Sequence, residues 1–299
     1  MAATAASASG LGDPVSHESQ LRRRQAVISG LAGVCLLAAA VVQAVGTQPK
    51  VSELTVELIA TNKRVGLEIV GGVINAIGLV GLALTLSFLY RAAKARRPES
   101  SPATRITALV GGTLAAIGGV AYAIILSVKS HQFVTQGTQT YLQANHLISN
   151  AAVAGLQYAG LIGSLLLAIA FVLVAMNAMR VGLLTKFLGY LGMVAAAASL
   201  FLIGSAPALL VEVFWLIAVA YLLVGRWPGG DPRAWVTGQA EPWPTAAEVR
   251  EQRQRATGRG APAGKAAASK TPPPRAQPPT KPEGSTRATT PKRKRKSRK

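Results

Sequence analysis

Cysteine is almost missing from this chain. Its single thiol, Cys35, allows no intramolecular disulfide and no cysteine-based metal cluster. Acid is also scarce, with 12 Asp and Glu against 32 Lys and Arg, and there are only three histidines. Charged residues make up 15% of the chain, well under the ~25% of ordinary soluble domains. Among so few titratable groups there is no phosphate-binding glycine loop, no HExxH, no GxSxG and no paired aspartates. The chain therefore reads as a non-enzyme, and no cofactor is expected.

What is present is apolar sequence in long runs. They cover about 26–46, 65–90, 106–128, 151–176, 183–203 and 207–225. Each is long enough to cross the ~30 Å hydrocarbon core as a helix. They are continuously apolar rather than alternating, which excludes a β-barrel. The expected fold class is all-α: a polytopic transmembrane helical bundle of six spans with a disordered basic C-terminal tail. Residues 1–25 are Ala/Ser/Gly-rich and read as a disordered cytoplasmic N-terminus, and residues 26–225 as the membrane domain. The first run follows three arginines, and Val42-Gln43-Ala44 would pass as a signal cleavage site. Its length of about 20 residues favours a retained helix. Cys35 follows Val34 rather than a small residue, which argues against a lipoprotein anchor.

Orientation follows from the cations. Arg22, Arg23 and Arg24 flank the first run. Arg91, Lys94, Arg96, Arg97 and Arg105 lie between the second and third, Arg180 between the fourth and fifth, and Lys186 at the start of the fifth. The other connections carry only Lys50, Lys63, Arg64 and Lys129. The positive-inside rule then places both termini in the cytoplasm of a plasma-membrane protein.

The segments outside the runs have their own patterns. Residues 51–64 have a helical distribution of apolar side chains and read as a surface helix or an outward extension of the second span. Residues 129–148 read as a polar loop. Its His131 and His146 lack a third ligand, so no metal site is expected there. Small residues recur every four positions, at Gly111, Ala115, Gly119 and Ala123 and at Gly155, Ala159 and Gly163, and predict close helix packing.

Beyond Gly225 the character changes. Residues 226–299 hold 18 of the 32 basic residues and 5 of the 12 acidic ones. Residues 226–256 form a Trp/Pro-rich juxtamembrane segment followed by a short helix, which Thr245 and Glu248 would open as a capping box. Trp227, Trp235 and Trp243 are expected in the headgroup layer or against cytoplasmic loops. Residues 257–299 cannot bury enough apolar surface to fold and read as a disordered tail. The tail ends in Lys292, Arg293, Lys294, Arg295, Lys296, Ser297, Arg298 and Lys299. Those seven cations suit anionic lipid headgroups, with a protein partner or nonspecific nucleic acid as other polyanionic contacts.

Five polar residues inside or at the ends of the runs form the candidate intramembrane site: Glu212, Glu68, Gln157, Asn150 and Asn75. An ionisable group in a span is costly and marks a functional hypothesis. Counted from the helix ends, Glu212, Glu68, Gln157 and Asn150, together with Gln43, fall at similar depths and are expected to line a polar layer open to the outside. One reading is a small-solute or ion transporter with Glu212 as its proton or cation site. The other is a structural hydrogen bond tying helices together, with Gln157 as partner. No run carries a mid-span Pro break or several midplane charges, so the leading reading is a non-enzymatic structural or interaction component. Oligomeric state leaves no signature.

The stretches LLTKFLGYLGMVAAAASLFLIG, VFWLIAVAYLLVGRWPGGDPRAW and EPWP resemble uncharacterised multi-span membrane proteins of actinobacteria. The resemblance spans about residues 20–250, most closely in the last two runs and the Trp/Pro-rich segment after them. It implies a bacterial plasma-membrane location and carries no catalytic residue.

Overall fold

Backbone N–H and C=O groups in lipid find no water, and a helix satisfies them within one segment. The computed structural model describes residues 14–45, 53–136, 138–201, 206–228, 230–244 and 246–259, and all regular structure among them is helical. The elements are α1 (Pro14–Val45), α2 (Leu54–Lys63), α3 (Val65–Arg96), α4 (Ala103–Thr135), α5 (Tyr141–Ile148), α6 (Ala151–Arg180), α7 (Lys186–Phe201), α8 (Ala206–Leu223), α9 (Arg233–Thr237) and α10 (Ala246–Arg259). Four helices are long and apolar enough to cross a membrane: Gln20–Ala44 within α1, then α3, α4 and α6. The apolar helices α7 and α8 are shorter, 16 and 18 residues.

Several boundaries differ from the expected ones. α1 begins at Pro14, ahead of the apolar run, with proline at the first helical position, where its missing N–H costs nothing. α4 runs on to Thr135, and α5 follows it, so residues 129–148 are mostly helical rather than a loop. Thr140 starts α5 as its N-cap, accepting a hydrogen bond from the Gln143 N–H. Segment 51–64 contains a separate helix, α2, broken from α3 at Arg64. Thr245, one half of the expected capping box, and the tail from 260 onward lie outside the described residues.

Six helices close into a ring in the order α1, α3, α4, α6, α7, α8 and back to α1, each packed on the next. Close approach is built from small residues, since lipid tails offer helices no hydrophobic reason to associate. At the α4–α6 seam a methyl group on Gly163 would strike the backbone N of Ala115, and one on Gly118 would lie 2.7 Å from the backbone N of Gly160. The seam is therefore Gly111, Ala115 and Gly118 against Gly160 and Gly163. Gly119 and Gly155, also in the expected stripes, face open space instead. A period of four drifts off a helix face that turns every 3.6 residues. Polar stitches add to the packing: Ser29 Oγ donates to the Leu216 carbonyl at 2.9 Å, and Gln25 Nε2 to Thr85 Oγ1 at 3.2 Å, joining α1 to α8 and to α3.

Every helix of the ring keeps an exposed apolar face: Leu31 and Val34 on α1, Val73 and Ile77 on α3, Ile117 on α4, Ile162 on α6, Tyr190 and Val194 on α7, Phe214 and Ile217 on α8. A soluble monomer rarely shows more than a few hundred Å² of contiguous apolar surface. A belt on all six helices is the surface of a membrane-embedded protein.

The ring has two unlike ends. The starts of α1, α4 and α7 and the ends of α3, α6 and α8 carry Arg22–Arg24, Arg91–Arg97, Arg105, Arg180 and Lys186, and form the basic end. At the opposite, cap end α2 and α5 pack on the extension of α4 around buried Leu58, Phe133 and Ala144. Beyond residue 244, α10 belongs to a second unit and carries an Arg255–Glu251 pair one helical turn apart.

Candidate functional site

Glu212 lies partly buried on α8, facing α7. The Ser199 hydroxyl is 3.2 Å from its carboxylate and 3.0 Å from the Ala195 carbonyl, so one proton serves two acceptors. Among the described residues no hydrogen bond joins Glu212 to Gln157 or Glu68. α1 explains why Glu68 is remote. Gly33 of α1 packs on Val213, Leu216 and Ile217 of α8, while Leu36 packs on Gly78 of α3. Glu212 is thus roughly level with Gly78, and Glu68 sits ten residues, about 15 Å, nearer the cap end.

The other candidates separate as well. Asn75 is one turn from Gly78, close to the depth of Glu212, but α1 stands between α3 and α8 in the ring. Gln157 is exposed on the outside of α6. Asn150 is the N-cap of α6, its side chain accepting from the Ala152 N–H at 2.9 Å. That contact gives it a local role at the helix start. The structure therefore brings Glu212 together with Ser199 and leaves the remaining four apart. Lys292, Arg293, Lys294, Arg295, Lys296, Arg298 and Lys299 lie outside the described residues. His131 and His146 are exposed at the cap end, and no cluster of three metal-ligating side chains occurs among the described residues.

The densest polar chemistry is at the basic end, where residues 226–244 fold back on the ring. α6 ends at Arg180 in a turn that leaves its last carbonyls in need of donors. Gly182, at φ +78°, lets the Leu183 N–H return to the Ala178 carbonyl at 2.9 Å in a Schellman-type turn. Three carbonyls of that turn are then taken by the returning chain. Glu241 N–H donates to Val181 at 3.2 Å, Trp235 Nε1 to Leu183 at 2.9 Å, and Trp243 Nε1 to Leu184 at 2.9 Å. Lys186 Nζ donates in return to the Pro244 carbonyl at 2.9 Å. Glu241 O presses on the place where a Gly182 side chain would be, so only glycine fits.

Trp235 is the centre of this knot, buried to 8% exposure. Phe88 of α3 stacks on it at 6.1 Å, and the guanidiniums of Arg22 and Arg96 lie 5.0 and 5.1 Å from its ring centre. Cations this close to an indole are attracted by its ring electrons. Arg22 also pairs with Asp231 at 2.8 Å and donates to the Leu222 carbonyl at the end of α8. Arg96 donates from two nitrogens to the Ala234 carbonyl at 3.0 and 2.8 Å. Both cations act here as donors to a folded segment, a role beyond fixing membrane orientation.

The sequence signals for this knot are the three evenly spaced tryptophans and the acid Asp231 set among prolines and glycines. They place the segment near a membrane face. The partners, two arginines and a turn between 181 and 186, come from distant helices and carry no local signature. Compared with protein-family models, curated proteins and solved structures, the chain finds no match in any of the three.

Proposed function

We propose that this chain is a six-span plasma-membrane scaffold, non-enzymatic, which presents its basic tail from a closed cytoplasmic face to anionic lipid or a protein partner. The observation that carries the reading is the knot at the basic end. Residues 226–244 bind to α1, α3, the α6–α7 turn and the end of α8 at once. The reading of six spans rather than four is supported by α7 and α8, which complete the ring and expose the same kind of apolar face as the other four. Cations gathered at one end support cytoplasmic termini. Resemblance to uncharacterised actinobacterial membrane proteins agrees with this location.

Binding of the purified full-length chain, held in phosphatidylcholine nanodiscs, to phosphatidylglycerol vesicles tests the proposal. The seven cations of 292–299 contribute about 1 kcal/mol each near an anionic surface. Changing them to glutamine is expected to abolish capture. Undiminished capture would remove the tail from the function.

The alternative is a transporter using Glu212, the ionisable group within the apolar run of α8, whose carboxylate accepts from Ser199 of the neighbouring helix. A cysteine at 212 in a Cys35→Ser background, probed from outside cells with an impermeant thiol reagent, separates the two. The scaffold predicts no labelling while a control cysteine at Gln143 reacts. Labelling at 212 would support a water-filled path.

A further inference from the structure

We infer that the groove between α3 and α4 at the basic end is a seat for one anionic glycerophospholipid, independent of the tail. Arg105, in the first turn of α4, reaches across the seam, and its Nε donates to Ser87 Oγ of α3 at 3.0 Å. Ser87 is buried, so the guanidinium is drawn against α3 with its two terminal nitrogens left over. Arg91 stands one turn along the same face of α3 and is exposed. Two guanidiniums from two helices thus share one small region of the rim.

Neither meets a carboxylate. Among the described residues Arg91 has no polar partner, and Arg105 has none beyond Ser87. Glu99, the nearest acid in sequence, is paired with Arg97 at 3.2 Å. Two like charges set side by side without an acid call for an anion, and guanidiniums match phosphate oxygens in pairs.

The surroundings say which anion. Away from the rim the same face of α3 continues through Leu84 and Val80, both exposed, and α4 adds exposed Ile106 and Val110. The face therefore runs from cationic to apolar along the helix, the order a lipid presents from phosphate to acyl chain. A soluble phosphate would use the arginines and leave the apolar stripe unexplained. Basic pockets between membrane helices on the cytoplasmic side bind such headgroups. The inference rests on α3 and α4 lying in the membrane and not on any role of the tail.

Electron paramagnetic resonance on the full-length protein in phosphatidylcholine bilayers tests it, with spin-labelled phosphatidylglycerol or spin-labelled phosphatidylcholine as probe. The wild type is expected to hold phosphatidylglycerol in its immobilised shell in preference to phosphatidylcholine. R91Q lowers that preference about five-fold, the equivalent of one surface arginine. R91Q/R105Q removes the part of it that the two arginines hold. Glutamine at the seven basic positions of 292–299 leaves the arginine-dependent part unchanged. A wild-type preference in R91Q/R105Q, or its loss in the tail variant alone, overturns the seat. R105Q disturbs a buried serine and can impair folding, whereas R91Q touches no described partner and reads the seat alone. Failure of the tail to capture vesicles would leave these outcomes unaffected, so the two proposals fall separately.

Discussion

At the basic end, backbone carbonyls of the α6–α7 turn are taken up by indole and amide N–H groups, and two arginines brace a buried tryptophan. At the cap end, Leu58, Phe133 and Ala144 make a small apolar cluster, and α2 and α5 are held to α4 by packing. The first end is joined by directional bonds among residues up to 209 positions apart. The second is assembled mostly from residues close in sequence, 126–148, with α2 laid over them. The difference teaches where cooperativity resides. A contact that ties four elements transmits its loss to all of them, while a contact within a local cap releases only the cap.

Trp235→Ala should have the largest effect. It removes a buried ring, a stack and an indole hydrogen bond, for a loss of about 3–5 kcal/mol. Thermal unfolding in nanodiscs should shift downward for the whole ring, and the 226–244 segment should become protease-sensitive. Phe133→Ala removes a fully buried ring at the other end, with a local cost near ~3 kcal/mol. Here proteolysis should cut within 54–63 and 138–148 while ring unfolding stays close to wild type. Equal melting shifts for the two variants would break the comparison.

Smaller changes sharpen it. Asp231→Asn keeps the shape of the side chain but leaves Arg22 without its counter-charge. The pair is neither fully buried nor exposed, at 14% and 24% side-chain exposure, so about 1–2 kcal/mol is expected. Unfolding of the ring should report it, with weak salt dependence. Thr140→Ala removes the N-cap of α5 and costs about 1 kcal/mol, read as faster hydrogen exchange in 141–148 only.

Legibility in the sequence followed the range of the interaction. The apolar runs marked all six ring helices, because a long apolar run is a property each segment carries by itself. The extension of α4 to Thr135 and the helix α5 are not visible in the same way: Phe133 and Ala144 are isolated apolar residues in a Gln/Thr-rich stretch, and only their meeting with Leu58 makes a core. Glu212 stands out as an acid in an apolar run, yet its partner does not. Ser199 is an ordinary small residue until the α7–α8 pairing sets it opposite. The shared depth expected for Glu68 fails because counting from helix ends ignores the offset that Leu36 and Gly78 impose between neighbours. The knot is hidden for the same reason, its donors and acceptors being neighbours only in space.

The bond from Arg22 to Asp231 also sets an order of events during synthesis. Arg22 emerges from the ribosome among the first residues, and its partner comes only after every helix of the ring has been made. Until then the arginine and the bare carbonyls of Leu183 and Leu184 wait at the membrane face. A chain cut short before residue 231 would carry all six helices and still display those open groups. The contacts of residues 231–244 thus form only on chains whose synthesis has passed all six helices and reached this segment.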